Sequence, residues 1–464
     1  MTAQATPAKK TPTKRNLELW LLFIGLVIAI GADFLTTISM KEEMDTAFYL
    51  QSIVLVAVAL MLHIVVRSRL PYADPYLLPI VVTLNGLGIT MIHRLDLVSG
   101  DSAATRQLLW TTVAALICAA LIIAVRDYRL LDRYTYLFLV ISAVLLVLPL
   151  IPGLGREEYG AKIWINLGFA TFQPGEIAKI TLAIFFASYL AANRHLILLA
   201  GKKVGKIQLP RFRDMAPIMI AWLISIGVLV MQRDLGSSIL FFGLFLAMLY
   251  VATNRFSWIA IGLVLVAIGG VFAAQTMSHV QLRIEAWLNA FDPEVYNRMY
   301  GASHQVVQGL FGLASGGLSG TGLGAGRPDL ISVANSDMII AAFGEELGFI
   351  GLTAIIMLYV LFVTRAMRTA LSVGADFGKL LAAGLGAVIA LQCFVVIGGV
   401  TRLIPLTGLT TPFLAAGGSS LLANWIIVAL LLMISHAGRR PVKAGLAPST
   451  ETAAQREVTA SGVK

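Results

Sequence analysis

Charge is scarce in this sequence. Only 13% of its 464 residues are Asp, Glu, Lys or Arg, about half the share of an ordinary soluble domain. So few charges cannot cover a soluble surface, which excludes the two to four soluble domains that length alone would allow. Disorder and a collagen-like repeat are excluded too, because 58% of the residues are apolar. Cysteine is nearly absent. Cys118 and Cys393 both lie in apolar stretches and make neither a disulfide framework nor a zinc site. No nucleotide-binding Gly-rich motif, HExxH or Ser/His/Asp arrangement stands out, which argues against ATP use within the chain. No internal repeat is visible, so an inverted-repeat transporter is not indicated. No short apolar core with a small-residue cleavage site precedes the first long apolar segment, which is therefore expected to act as its own targeting signal.

What is present is a series of long apolar runs. A bilayer core about 30 Å thick needs roughly 20 apolar residues per helix. Twelve segments qualify, at 18–38, 46–66, 76–93, 107–125, 134–151, 175–192, 215–231, 236–252, 256–274, 338–364, 380–400 and 415–435. The fold class is thus an all-α polytopic membrane protein of about twelve transmembrane helices, with a long extracellular loop between helices 9 and 10. Asn85, Lys179, Glu345 and Glu346 lie within or beside spans, where such groups normally face the bundle interior or a wet cavity. With an internal N-terminus, 24 of the 35 lysines and arginines fall in inner segments. This bias predicts both termini in the cytoplasm. The tails, 1–17 and 436–464, are polar and expected to be disordered. Their basic residues serve topology or touch anionic headgroups.

Two outer connections are long, at about 152–174 and 275–337. Long ordered loops usually carry function. The second holds a mixed ionisable surface and the glycine-rich run Gly309–Gly326, which favours a re-entrant or interfacial segment buried against protein or water. The outer cations are Arg156, Lys162, Arg233, Arg283, Arg298, Arg327 and Arg402. Their presence on the side that the charge bias depletes fits a pyrophosphate-bearing lipid. Pairing with outer carboxylates such as Glu157, Asp234 and Asp337 explains them equally well. A glycosyl transfer at this face would need a carboxylate base and cations for a leaving phosphate, and the loops hold both.

Five motifs occur in order over about 76–435. They are Gly160-Ala-Lys-Ile-Trp-Ile-Asn-Leu-Gly168 with Gln173-Pro-Gly-Glu-Ile-Ala-Lys179; Gln232-Arg-Asp-Leu-Gly236; Ser336-Asp-Met-Ile-Ile through Glu345-Glu-Leu-Gly348; Thr401-Arg-Leu-Ile-Pro-Leu-Thr-Gly408; and Pro412-Phe through Gly417-Gly-Ser-Ser420. The set resembles the SEDS proteins, the RodA, FtsW and SpoVE group, and within it is more similar to the RodA, cell-elongation branch. The resemblance implies a peptidoglycan glycosyltransferase of the bacterial cytoplasmic membrane. Such an enzyme polymerises lipid II, an undecaprenyl-pyrophosphate disaccharide-pentapeptide, beside a class B penicillin-binding protein transpeptidase. No nucleic acid is implied. No cofactor is assigned, and a divalent cation is a possible addition. The family core has ten spans, so 76–435 is the expected glycosyltransferase core and 18–75 two additional N-terminal helices.

The family's key Asp lies in an Asp-Pro pair downstream of an Arg and a Trp. Here Arg283, Trp287 and Asp292-Pro293 match, and Gln305 and Gln308 match a following Gln pair. There are departures: Asn289-Ala290 replaces a common second Asp-Pro, the stretch to Gly301 is longer, Gly175 replaces Ser, and Arg233 replaces Pro. The resemblance therefore implies Asp292 as catalytic base. It implies substrate binding by Arg283, Lys162, Trp164, Trp287, Arg233, Asp234, Gln305, Gln308 and Arg402. Plainer readings stand beside these. Asp292 could cap a turn, Lys162 and Trp164 could anchor at the interface, and Arg233 and Asp234 could pair with each other or with Arg402. Asp337 reads best as a helix N-cap. A lipid II flippase or a non-catalytic scaffold are the competing functions.

Overall fold

The computed structural model describes residues 13–41, 43–158, 161–166, 168, 171–199, 201–204, 207–210, 219–220, 222–223, 226–228, 230–299 and 301–441. Eleven helices among them are long and apolar enough to cross a membrane. They are α1 (Arg15–Lys41), α2 (Thr46–Arg69), α3 (Leu77–Ser99), α4 (Ala103–Ala124), α5 (Thr135–Val147, extended by short 3-10 turns at each end), α6 (Pro174–Leu199), α7 (Leu235–Thr253), α8 (Ser257–Thr276), and the last three spans α12 to α14, given below. The expected span at 215–231 lies partly outside the described residues. Local chemistry sets several boundaries. Asp45 accepts a hydrogen bond from Phe48 N (2.9 Å) and so starts α2, while Gly100 and Asn254 in left-handed conformation end α3 and α7.

The two long outer connections are structured. Residues 152–174 contain a three-stranded antiparallel sheet of β1 (Gly155–Glu158), β2 (Ala161–Asn166) and β3 (Thr171–Phe172). A hairpin of β4 (Gly201–Val204) and β5 (Ile207–Pro210) follows α6. The 275–337 connection contains α9 (Ser278–Leu288), α10 (Pro293–Tyr296) and α11 (His304–Gly316). The chain closes with α12 (Ile339–Ser372), α13 (Asp376–Val400) and α14 (Gly418–Arg439).

The apolar window of α3 is wholly buried, although α3 carries Asn85, His93 and Arg94. It packs against α1 on one side and α12 on another, so its polar groups find partners inside the bundle. Arg94 Nε donates to Glu346 Oε1 (2.6 Å) and its Nη2 to Gly326 O (2.6 Å). Windows on α5 and α8 are mostly exposed, as expected of helices facing lipid.

α12 is not one continuous helix. Gly348 (φ 65°, ψ −170°) breaks it, and the glycine-rich run fills the break. Thr321 N and Gly322 N donate to the carbonyls of Glu345 and Glu346 (3.0 Å each), and Phe349 N donates to Gly317 O (2.9 Å). Backbone polar groups freed within an apolar layer need such partners. Glu345 and Glu346 are also used here: their carboxylates accept from Arg327 N (2.7 Å) and Gly324 N (3.1 Å). The run thus forms a hook of backbone laid against a broken span.

Candidate active site

The site is built around α9. Arg283 and Trp287 are four residues apart and share one face of that helix. Both reach the loop between α13 and α14. Arg283 Nη1 donates to Thr407 O (3.0 Å), and Trp287 Nε1 donates to Arg402 O (3.0 Å). Arg402 returns the contact, with Nε donating to Trp287 O and Nη2 to Leu288 O (2.7 Å each). Its guanidinium also lies 5.5 Å from the centre of the Phe291 ring. This exchange clasps the end of α9 onto the loop and fixes where the following turn, residues 289–292, begins.

Near the clasp, the charges of two carboxylates, Asp234 and Asp337, act on the Arg283 guanidinium. Asp234 is buried and caps α7, accepting from Ser237 N (2.9 Å). Burial raises its carboxyl, against the lowering effect of the Ser237 hydrogen bonds and of Arg283. Asp337 is pushed up to about 6 by burial, and only the Arg283 charge opposes that shift. Burial lowers Arg283 itself, which both acids counteract. The N-cap expectation for Asp337 is corrected here. Met338 holds the cap position of α12 and has no side-chain cap bond. Asp337 instead turns toward Arg283, with its Oδ2 3.6 Å from where a side chain on Gly408 would stand.

The polar groups continue inward. Glu176, near the start of α6, acts electrostatically on Asp234. Lys179 Nζ donates to Glu176, to Gln392 Oε1 (3.0 Å) and to Asn424 Oδ1 (3.5 Å). Gln392 Nε2 donates to Thr410 O (2.8 Å), which returns the network to the α13–α14 loop. Glu176 and Lys179 were not among the expected site residues, although Gln173–Lys179 is one of the five motifs and a lysine within a span is itself a signal.

The other expected residues lie around this core. Asp292 is exposed and caps α10, accepting from Glu294 N at 2.8 Å. Its charge acts on Arg298, whose fork binds Glu285 at 2.6 and 2.8 Å. Lys162 stands exposed on β2, 3.6 Å from Glu157. The backbone N of Lys162 donates to Gln232 O (3.1 Å), which sets this strand beside Arg233 and Asp234. Trp164 is half-buried opposite Arg156. Arg233 is exposed with φ 60° and acts on His279; among the described residues it makes no ion pair with Asp234. Gln308 Oε1 accepts from Ser332 N (2.9 Å) and Ser332 Oγ (2.8 Å), so it pins α11 to the loop before α12. Gln305 is half-buried on the same helix. Trp287 and Arg402 thus come together, and Arg283 and Asp234 lie near enough for each charge to act on the other without an ion pair, while Asp292 sits outside this group. Among the described residues, no group of three His, Cys, Asp or Glu is placed to hold a metal.

The family signature of the cell cycle proteins FtsW, RodA and SpoVE matches residues 75–440. The chain is 48% identical over 442 residues to the peptidoglycan glycosyltransferase RodA of Mycobacterium tuberculosis (strain ATCC 25618 / H37Rv), covering 93% of this chain and 92% of that one. It is 45% identical over 456 residues to the peptidoglycan glycosyltransferase RodA of Mycobacterium leprae, covering 96% of each. Its fold is similar to a chain solved in a peptidoglycan synthase complex, with a TM-score of 0.63 at 23% identity, covering 80% of this chain and 99% of that one.

Proposed function

The chain belongs to the FtsW/RodA/SpoVE family of cell cycle proteins, and on that premise we propose that it is a peptidoglycan glycosyltransferase polymerising lipid II into β-1,4 glycan strands. The donor sugar is α-linked to pyrophosphate and the product bond is β, so a single inverting displacement suits the reaction. Asp292 takes the proton of the acceptor C4 hydroxyl as that oxygen attacks the donor's anomeric carbon. The bond from that carbon to the pyrophosphate oxygen breaks, and undecaprenyl pyrophosphate leaves. A base of this kind typically supplies 10²–10⁴-fold.

The observation that carries this assignment is that Asp292 is an exposed carboxylate directly after the arm that Trp287 and Arg402 clasp in place. The exposed cations Lys162 and Arg233 meet the pyrophosphate and stabilise its developing charge. Arg283 donates to backbone carbonyls of the α13–α14 loop and feels the charges of Asp234 and Asp337, and acts as a positioning residue. Trp164, Gln305 and the Gln308–Ser332 contact shape the surrounding wall. A second reading makes Asp337 the base, favoured by a pKa of about 6, close to the operating pH.

The lysine and arginine bias supports a reading with both termini in the cytoplasm and this site on the outer face. Residues 18–75 are then an addition ahead of the core, and a class B penicillin-binding protein is the crosslinking partner. The test is polymerisation of labelled lipid II by the purified protein with that partner, comparing wild type, Asp292→Ala and Asp337→Asn, each checked for monodispersity. Strands from wild type and none from Asp292→Ala are expected. Full activity of Asp292→Ala with loss in Asp337→Asn would transfer the base to Asp337. No strands from wild type, with lipid II translocated in vesicles, would replace the enzyme with a flippase.

A further inference from the structure

At the other end of α12 from Asp337 lies a second charged site, unconnected with the clasp. A cavity of about 580 Å³ opens there between α1, the turn from α2 to α3, α12 and α14. Lys14, Arg365, Arg368 and Arg439 line it, together with Tyr72 and Tyr76. One buried carboxylate, Asp74, serves two of these cations: Arg365 Nε donates to it at 2.8 Å, and Arg439 also pairs with it. The Arg365 guanidinium lies 4.5 Å from the centre of the Tyr76 ring. Lys14 and Arg368 are exposed and have no carboxylate partner among the described residues. The pocket therefore holds an excess of positive charge, with two cations free to take an anion.

Tyr76 also lines an apolar groove of about 770 Å³ between α1, α3 and α12. The two sites follow one stripe on each helix. Leu358 and Leu361 line the groove seven residues before Arg365 and Arg368, and Leu21 lines it seven residues after Lys14. From Tyr76 to Arg94, the groove runs alongside α3 for about 27 Å at 1.5 Å per residue. Apolar side chains line nearly all of the groove, and Tyr76 lines it together with the basic pocket, so hydrocarbon chains carrying an anionic head match the pair of sites.

We propose that this composite site binds an anionic phospholipid. Its phosphate lies between Lys14, Arg368 and the Asp74-braced Arg365, and its acyl chains enter the groove between α1, α3 and α12. Basic pockets between transmembrane helices recognise anionic headgroups in this way. The head sits at the opposite end of α12 from Arg283, so it cannot present its phosphate to the clasp. The lipid is thus a bound, unreacting component that joins the N-terminal helix α1 to α12.

Purified full-length protein is incubated in detergent with phosphatidylglycerol or phosphatidylcholine of matched chains, and retained lipid is read by native mass spectrometry. Phosphatidylglycerol should be retained in clear preference. Lys14→Gln with Arg368→Gln should weaken retention roughly thirtyfold, the worth of two basic residues near an anionic lipid. Ala354→Trp, which fills the exposed side of the groove, should lose the lipid while the protein stays monodisperse. Equal retention of the two lipids, or retention unchanged by the double substitution, would overturn the proposal. So would displacement by millimolar inorganic phosphate, which marks a free-anion site, or preferential displacement by undecaprenyl phosphate, which marks a carrier-lipid site. Retention is read without polymerisation, so a failure here leaves the glycosyltransferase reading standing.

Discussion

Asp234 and Asp337 flank one guanidinium, and different things hold them. Asp234 has the Ser237 amide as well as Arg283, whereas Asp337 has Arg283 alone. Its carboxyl is raised above the ordinary value, so the folded protein favours the neutral form. That favour is fully present at a pH below about 4, the unfolded value, and is lost as the pH rises through about 6. Asp337→Asn keeps the shape and removes the titration. The melting temperature of Asp337→Asn relative to wild type should therefore climb between pH 4 and pH 7, as wild type comes to bury a charge that the variant lacks. A difference flat with pH would mean that Asp337 is not desolvated. Breaking the trio from the other side should cost more. Arg283→Met removes the cation that acts on both carboxylates and its hydrogen bond to Thr407 O, and a loss of about 1–3 kcal/mol at pH 7 is expected in chemical denaturation. The sequence singled out Arg283, Trp287 and Asp292 through motif order. It could not show that Asp337 faces Arg283, because 54 residues separate them and only the folding of α9 against the α13–α14 loop brings them together.

Hydropathy locates a span but does not report a break inside it, and α12 is the case in point. The apolar run at 338–364 reads as one helix, yet Gly348 stands at φ 65° and splits it. The glycine-rich run 309–326 was legible as backbone needing close approach; what it approaches was not. A Cβ at Gly348 would meet Gly320 N at 2.2 Å, and one at Gly320 would meet Glu346 O at 2.2 Å. Both contacts are with backbone, which cannot swing aside. Gly348→Ala combines this clash with a left-handed conformation that L side chains avoid, and a loss on the order of 3 kcal/mol is expected. Gly31→Ala in α1 meets nothing within 4 Å and is the matched control, expected to be neutral or slightly stabilising. Thermal unfolding of the two variants side by side checks the contrast. Equal melting temperatures would mean that the hook is not packed as described.

Across the whole molecule, orientation decides which chemistry the site can meet. A glycan polymerase that uses a pyrophosphate donor outside the membrane needs the clasp, the three-stranded sheet and Asp292 on that side. The lysine and arginine bias predicts this direction from the sequence alone, and α4 puts the turn Gly100–Ser102 and the turn at 126–134 at opposite ends of one span. The protein also supplies a quiet background for testing it. Its two cysteines, Cys118 and Cys393, are buried, and burial inside the bundle shields both from a water-borne reagent. Asp101 lies exposed in the α3–α4 turn, and Arg126 lies exposed after α4. In intact cells, a membrane-impermeant maleimide should label Asp101→Cys and leave Arg126→Cys unlabelled until the membrane is opened. Wild type should stay unlabelled in both conditions. Labelling of Arg126→Cys alone in intact cells would invert the protein. It would put Asp292 and the exposed cations in the cytoplasm, where polymerisation outside the membrane could not use them. The basic pocket around Arg365 and Arg368 would then face outward, so this experiment fixes the leaflet from which each site draws its lipid.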